Sequence, residues 1–326
     1  MVVLTRDMVE AGLSDDGTRL NLSDNQITAL PPGIFNGLEH LRELNLADNR
    51  IKVLLPNVFN GLNNLRNLYL GNNQITELPP NVFNGLGYLE ILFLNNNQIT
   101  ALPLGIFNGL GNLYILSLSH NQIEEVSPGV FEGLVDLNYL LLSHTKITDL
   151  EQGLFEGLNN LTHLLLERNN LTELPPGIFE GLNNLTHLDL KRNNLTELPP
   201  GIFEGLGNLI SLTLSHNPIE VIYQSTYDYL TQMIQNNHFD IRGVDINALE
   251  RLPDEEYISL LDQYALEMEA QNKGMINMGK RKQKQKKKHK KTQKKSKKTT
   301  KKSKRKTKKS KKRKQTKNKS KRKSKK

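Results

Sequence analysis

From Gly17 to about Ile222 one pattern returns every 24 residues without a slip in register. Leu41, Leu44, Leu46, Asn49, Ile51, Leu54, Pro56, Phe59 and Leu62 of one unit match Leu65, Leu68, Leu70, Asn73, Ile75, Leu78, Pro80, Phe83 and Leu86 of the next. Eight full units and a truncated ninth obey the rule, with Leu41 and its equivalents at position 1. A strict period of this length restricts the chain to an array, because a single 24-residue unit cannot close a core and must bury its apolar side against its neighbours.

The spacing inside a unit gives its geometry. In LRELNLADN, residues 41–49, Leu44 and Leu46 are two apart and point one way, while Glu43, Asn45 and Ala47 point the other. Each unit therefore supplies one short strand. Stacked units pair these strands into a parallel sheet at roughly 4.8 Å per step, with the inward Leu and Ile as a continuous core. The remainder of the unit, typified by LPPGIFNGL, carries Pro and Gly that resist regular helix and must return the chain along the convex side. Position 9 is Asn25, Asn49, Asn73, Asn97, Asn121, Asn169, Asn193 and Asn217, with Thr145 as the exception. An amide brings two donor hydrogens and an acceptor to the backbone where the strand turns inside the stack. The Thr145 hydroxyl brings one donor, so the sixth unit is expected to be the weakest. Eight of the ten Phe recur at Phe35, Phe59, Phe83, Phe107, Phe131, Phe155, Phe179 and Phe203, as a spine beneath the convex side.

With LYLGNNQITELPPNVFNGL and its copies, the chain resembles the leucine-rich-repeat family in its typical 24-residue subtype, LxxLxLxxNxIxxLPxxxFxGL. The resemblance implies an α/β solenoid: a curved horseshoe with a parallel sheet on the concave side, mostly irregular convex segments, and partners, usually proteins, bound across the sheet. Cysteine-rich caps of secreted and receptor members have no counterpart here. Such repeats joined to a Lys-rich tail also look like proteins of large DNA viruses.

Charge divides the chain in two. Before Lys280 stand 13 Lys and Arg against all 34 Asp and Glu, a net −21, while Lys280–Lys326 carries 31 cations and no acid. The overall +10 describes neither part. The tail, 273–326, has from Lys280 onward no apolar residue with which to bury a core and is expected to be disordered. Its clusters Lys280, Arg281, Lys282, then Lys286, Lys287, Lys288, then Lys304, Arg305, Lys306, and Lys311, Lys312, Arg313, Lys314 suit phosphate backbones or a nuclear or nucleolar address. Without aromatics to stack on bases, nucleic-acid binding would be blind to sequence. A solubilising role and folding back onto the acidic body are open alternatives.

Residues 1–16 supply Val2, Val3, Leu4, Met8 and Leu13 as an N-terminal cap for the solenoid, 17–222. A helical C-terminal cap is expected over 223–272. STYDYLTQMI reads as a helix with Ser225 or Thr226 as N-cap, and PDEEYISLLDQYALEMEA as a second, with a partner-docking role as its alternative. Cysteine is absent, which excludes disulfides, thiolate metal sites and Cys nucleophiles. MVVLTRDMVE has no apolar stretch of signal-peptide length and no run of about eighteen apolar residues occurs, so an intracellular protein, nuclear or nucleolar, neither secreted nor membrane-bound, is expected. GxxxxGK[ST], HExxH and GxSxG are all missing, and a non-enzymatic role without cofactors follows. His163 and His187 share one unit position and His120 and His144 another. Repeat duplication alone produces such pairs, so they are read as ligand contacts or exposed side chains and no metal is assigned.

Outward strand positions should carry specificity. Residues 159–182 and 183–206 differ only at Leu165 against Asp189 and Glu167 against Lys191, both outward. Along the stack the outward residues Tyr69, Ile91, Phe93, Tyr114, Ile115, Tyr139, Leu141 and Leu165 form an apolar run over five successive strands, about 19 Å long. Such a patch marks an interface, or bulky neighbours packing on each other. His163, His187, Asp189 and Lys191 complete the expected protein-binding face, with Arg168 and Arg192 on its rim.

Overall fold

The computed structural model describes residues 2–235 and 240–257. Among these, ten three-residue strands form one parallel sheet in sequence order, from Arg19–Asn21 through Glu43–Asn45, Asn67–Tyr69, Ile91–Phe93, Ile115–Ser117, Tyr139–Leu141, His163–Leu165, His187–Asp189 and Ser211–Thr213 to Asp240–Arg242. Every pair is in register, position for position: Leu44 faces Leu68, Leu68 faces Leu92, and so on. The central residue of each repeat strand, together with Leu46 and its equivalents, is fully buried, which is the alternation expected from LxLxL.

After the strand the chain returns through short turns and not through a helix. Around Phe35, for example, the amides of Asn36, Leu38 and Leu41 each bond the carbonyl three residues back, at 3.0–3.2 Å. Gly61, at φ +87°, holds a left-handed corner that would strain a side chain. The Phe spine lies below these turns with every ring buried, and consecutive rings stack at 6.2–6.4 Å from Phe35 to Phe131 and again from Phe179 to Phe203. Ring pairs on the sheet face lie closer, at 4.0 Å for His120–His144 and 4.3 Å for His163–His187. A stack narrower on the sheet side than on the Phe side must curve around the sheet, so the sheet is concave.

The position-9 amides hold the coils together. Asn121 accepts the Ile99 amide at 3.0 Å and donates to the carbonyls of Leu94, at 2.9 Å, and Leu118, at 2.8 Å. Each Asn thus ties its own coil to the previous one, and Asn49, Asn73, Asn97, Asn169 and Asn193 repeat the arrangement. The single hydroxyl proton of Thr145 is shared between the Leu142 carbonyl and the Asn169 side-chain oxygen, and Thr145 reaches neither the Ile123 amide nor the Leu118 carbonyl that an Asn there would serve. A second amide row escaped the sequence reading. At position 24, Asn64, Asn112, Asn160, Asn184 and Asn208 each donate to the carbonyl 25 residues earlier, at 2.7–2.9 Å.

The ends depart from expectation in detail. A helix, α1 (Arg6–Gly12), is capped by Thr5 and buries Val9 and, beside it, Leu4 against the first coil. Val2 and Val3 instead form a strand with Ile27–Ala29 and leave their side chains exposed. At the other end α2 spans Gln224–Gln235. Ser225 and Thr226 do not cap it. Their hydroxyls accept the amides of Gly201 and Ile202 in the preceding coil, while the Asp254 carboxylate accepts the Ser225 amide at 3.1 Å. Beyond α2 the chain is not helical throughout: Asp240–Arg242 extends the concave sheet and Glu250–Leu252 pairs with Val221–Tyr223. This extra coil steps 29 residues, from Ser211 to Asp240, because α2 replaces the compact turns. Of the second expected helix, Asp254–Tyr257 is helical, and the rest lies outside the described residues, as does the Lys-rich tail.

Candidate functional site

Two rows of side chains stand on the concave face. In one, Ile91, Ile115, Tyr139, His163 and His187 are successive ladder partners. In the other, Tyr69, Phe93, Ser117, Leu141, Leu165 and Asp189 are. Sheet register therefore brings together the strand residues read from the sequence. Tyr114 differs in precedence: it lies one residue before its strand, 45% exposed, on the shoulder of the sheet, where Glu90, Ile91, Asn112, Asp136, Asn138 and Asn160 line a shallow groove with it. Lys191 follows the His187–Asp189 strand at the opposite rim.

The apolar members are half-buried, because the rows pack on themselves. Tyr69 meets Phe93 edge to face at 5.4 Å and Tyr114 meets Tyr139 at 5.7 Å. Ser117, small and flanked by Phe93 and Leu141, is only 5% exposed. Mutual packing thus fixes the rings while part of each remains open to solvent, which is the preorganised state a docking surface needs. Burial, and then Glu43, push the Tyr69 hydroxyl above its ordinary pKa, so it stays a donor.

Farther along, Tyr139, His163 and His187 stack face to face at 4.3 Å. Two threonines orient the imidazoles. Thr186 donates its hydroxyl proton to the Thr162 carbonyl at 2.9 Å, so at its 2.9 Å contact with His187 Nδ1 the ring must be the donor. Thr162 likewise donates toward Asn138 and receives His163 Nδ1 at 2.8 Å. Both rings therefore turn Nε2 outward as an acceptor. Burial, followed by the neighbouring imidazole, lowers the pKa of His163, and the same two causes in the same order lower that of His144 beside His120. Among the described residues no group of three or more His, Cys, Asp and Glu is placed to hold a metal ion.

The rim at position 8 carries two adjacent guanidiniums, Arg168 and Arg192, before His216. Glu167, directed over the next coil, lies 3.7 Å from Arg168 Nε, 3.7 Å from Lys191 Nζ and 3.9 Å from Arg192 Nη1. Asp189 accepts the Lys191 amide at 2.9 Å, and its carboxyl pKa is raised by burial more than that bond lowers it. The orienting role of Thr162 and Thr186 and the central place of Glu167 were not read from the sequence. The recurrence of Thr at position 2 was the available signal for the first.

The leucine rich repeat model matches seven overlapping segments that together run from residue 18 to residue 233. The chain belongs to the leucine-rich-repeat family. Among solved structures, this leucine-rich-repeat protein is similar to TLR13 in the TLR13–ssRNA13 complex, with 29% identity and a TM-score of 0.53 over 64% of this chain and 35% of that one. It is also similar to the LRR protein LIC12759 of Leptospira interrogans, with 31% identity and a TM-score of 0.52 over 69% of this chain and 60% of that one. It thus spans about a third and three fifths of their lengths. No curated protein matches the chain. Leucine-rich-repeat folds serve in general as interaction scaffolds and not as enzymes. No helix among the described residues is long and apolar enough to cross a membrane.

Proposed function

We propose that this leucine-rich-repeat protein is a non-enzymatic adaptor that grips a protein partner on its concave face. The observation that carries the reading is the contiguous, half-open apolar surface from Tyr69 and Phe93 to Leu141 and Leu165, bordered by oriented His163 and His187. A buried aromatic centre with a polar rim is the anatomy of a stable protein interface. Replacing Phe93 and Tyr139 by Ser removes two rings whose backbones are held by the ladder, so folding is retained. Capture of the concave-face partner by the full chain, scored in parallel with circular dichroism, should be abolished. Retention of every partner by a folded double variant places the interface elsewhere.

The Lys-rich tail supports a second element, nuclear or nucleolar targeting or attachment to polyanion. The alternative makes sequence-blind nucleic-acid binding or a nucleolar role through the tail primary, with the repeats as an accessory. The two separate on salt. Tail-driven duplex binding should weaken linearly in log affinity against log salt, with a slope near −0.9 per phosphate neutralised, and with little sequence preference. Deleting Lys280–Lys326 should eliminate it and disperse any nuclear accumulation. Tight DNA binding by a chain ending near Asn272 overturns this division, since the remaining body is strongly acidic.

A further inference from the structure

At the C-terminal end of the concave face, three cations of two adjacent coils close on a single oxygen. Arg168 Nε, Lys191 Nζ and Arg192 Nη1 surround Glu167 Oε1 at 3.7–3.9 Å. All three distances exceed a hydrogen bond, so the donors are drawn toward that point without being used there. Three positive charges face one carboxylate, and the other carboxylate nearby, Asp189, is engaged with the Lys191 backbone amide.

Two independent features show that these residues were not selected by the fold. Position 8 has left-handed backbone in every coil, at φ +53° to +61° from Asp24 to His216. Asp24, Asp48, Asn72 and Asn96 suit that conformation, and His120 and His144 tolerate it, whereas Arg168 and Arg192 gain nothing from it. An observed departure of this kind points to use of the side chain. The second feature is the pair of twin units. Residues 159–182 and 183–206 differ at two positions only, and one of them sets Glu167 opposite Lys191, which creates the cluster.

We infer that this cluster is an oxyanion site that takes a phosphoryl group presented by the protein partner, with Glu167 as an internal stand-in that the bound group displaces. The carrier of the group rests on the concave-face reading, whereas the anion chemistry does not. Three cationic donors converging on one point suit a group with several charged oxygens. A planar carboxylate is already present as Glu167 and is held without a hydrogen bond.

The test uses the full chain and inorganic phosphate at constant ionic strength and neutral pH. Histidine C2–H resonances report on it, since His144 lies within electrostatic reach of Arg168, Glu167 and Arg192. The His144 signal should shift saturably with phosphate and with O-phosphoserine, and about tenfold more weakly with acetate. Lys191→Glu should weaken phosphate binding about tenfold or more, and Glu167→Lys should strengthen it by a similar factor. Each variant carries the residue its twin unit already has at that position, so the coil accommodates it. The tail is common to all variants and cancels in their comparison. No saturable shift, or equal affinity in Lys191→Glu, reduces the cluster to a surface ion network and overturns the inference. Equal binding of acetate and phosphate overturns its phosphoryl part. Because the titration involves no partner, its failure leaves the Phe93 and Tyr139 experiment unaffected, and the reverse also holds.

Discussion

Positions 8 and 9 of each coil are neighbours in the chain and opposite in character. At position 9, Asn49, Asn73, Asn97, Asn121, Asn169 and Asn193 are all buried and make the same bonds. At position 8 the series Asp24, Asp48, Asn72, Asn96, His120, His144, Arg168, Arg192, His216 passes from acid through amide and imidazole to guanidinium and back to imidazole. The inward side chain serves backbone groups that every coil places identically, so one residue type is repeated. The outward one answers to nothing shared except a left-handed φ, and is free to record what the surface meets. Invariance and drift thus separate fold from function within two residues.

The comparison breaks most severely if the inward ladder is dispensable. Asn121→Ala leaves the Ile99 amide and the Leu118 carbonyl without their side-chain partner inside the stack, while the Leu94 carbonyl keeps that of Asn97, and should cost about 1–3 kcal/mol. Denaturant titration measures it, together with amide exchange near Leu94 and Leu118, since an array can open locally. An unchanged midpoint and unchanged exchange remove the ladder account. Thr145→Asn sharpens the same point from the other side. It supplies the missing acceptor to Ile123 and a donor to Leu118, and should be neutral or stabilising by up to about 1 kcal/mol. Clear destabilisation shows that the sixth coil has adapted its backbone to the Thr145 bond with Asn169.

What the sequence made legible follows from the same contrast. Alternation assigns each strand residue to one side, so the core ladder, the two concave rows and the turn-built convex side could be read before any coordinates. For Phe93 and Leu141 alternation left open an interface or mutual packing, and the degree of their burial, with Ser117 closed in between them, depends on side-chain contacts across strands that spacing does not give. The extra coil was hidden because DIR and ERL, at a 29-residue step, carry none of the LxxLxLxxN signature. Ser225 and Thr226 look like N-caps in sequence, yet the amides of Gly201 and Ile202 compete for the same hydroxyls and win. The convergence of Arg168, Lys191 and Arg192 on Glu167 depends on side-chain reach across coils, which spacing alone does not give.

The smallest expected effect concerns the stacked imidazoles, where an outward pair has acquired a fixed structure of its own. His163 holds its pKa below the ordinary 6.5 through burial and then through the proximity of His187, so the folded state takes up fewer protons than the unfolded chain. The stability this represents is complete above pH 6.5 and is lost as the pH falls through the depressed folded value. Below 6.5 the unfolded chain protonates first, and folding must then exclude that proton or keep the His163 charge in a half-buried place, stacked on the His187 ring at 4.3 Å. Asp189, whose pKa is raised, acts in the opposite sense at lower pH, so the comparison belongs between pH 7 and pH 5. There the melting temperature of the full chain should fall with acidification, and His163→Asn with His187→Asn should make the profile shallower, with the slope due to His144 remaining. Parallel profiles for the two proteins would show that protonation of His163 is not coupled to folding, and that the outward rows carry no structure beyond what the inward ladder imposes.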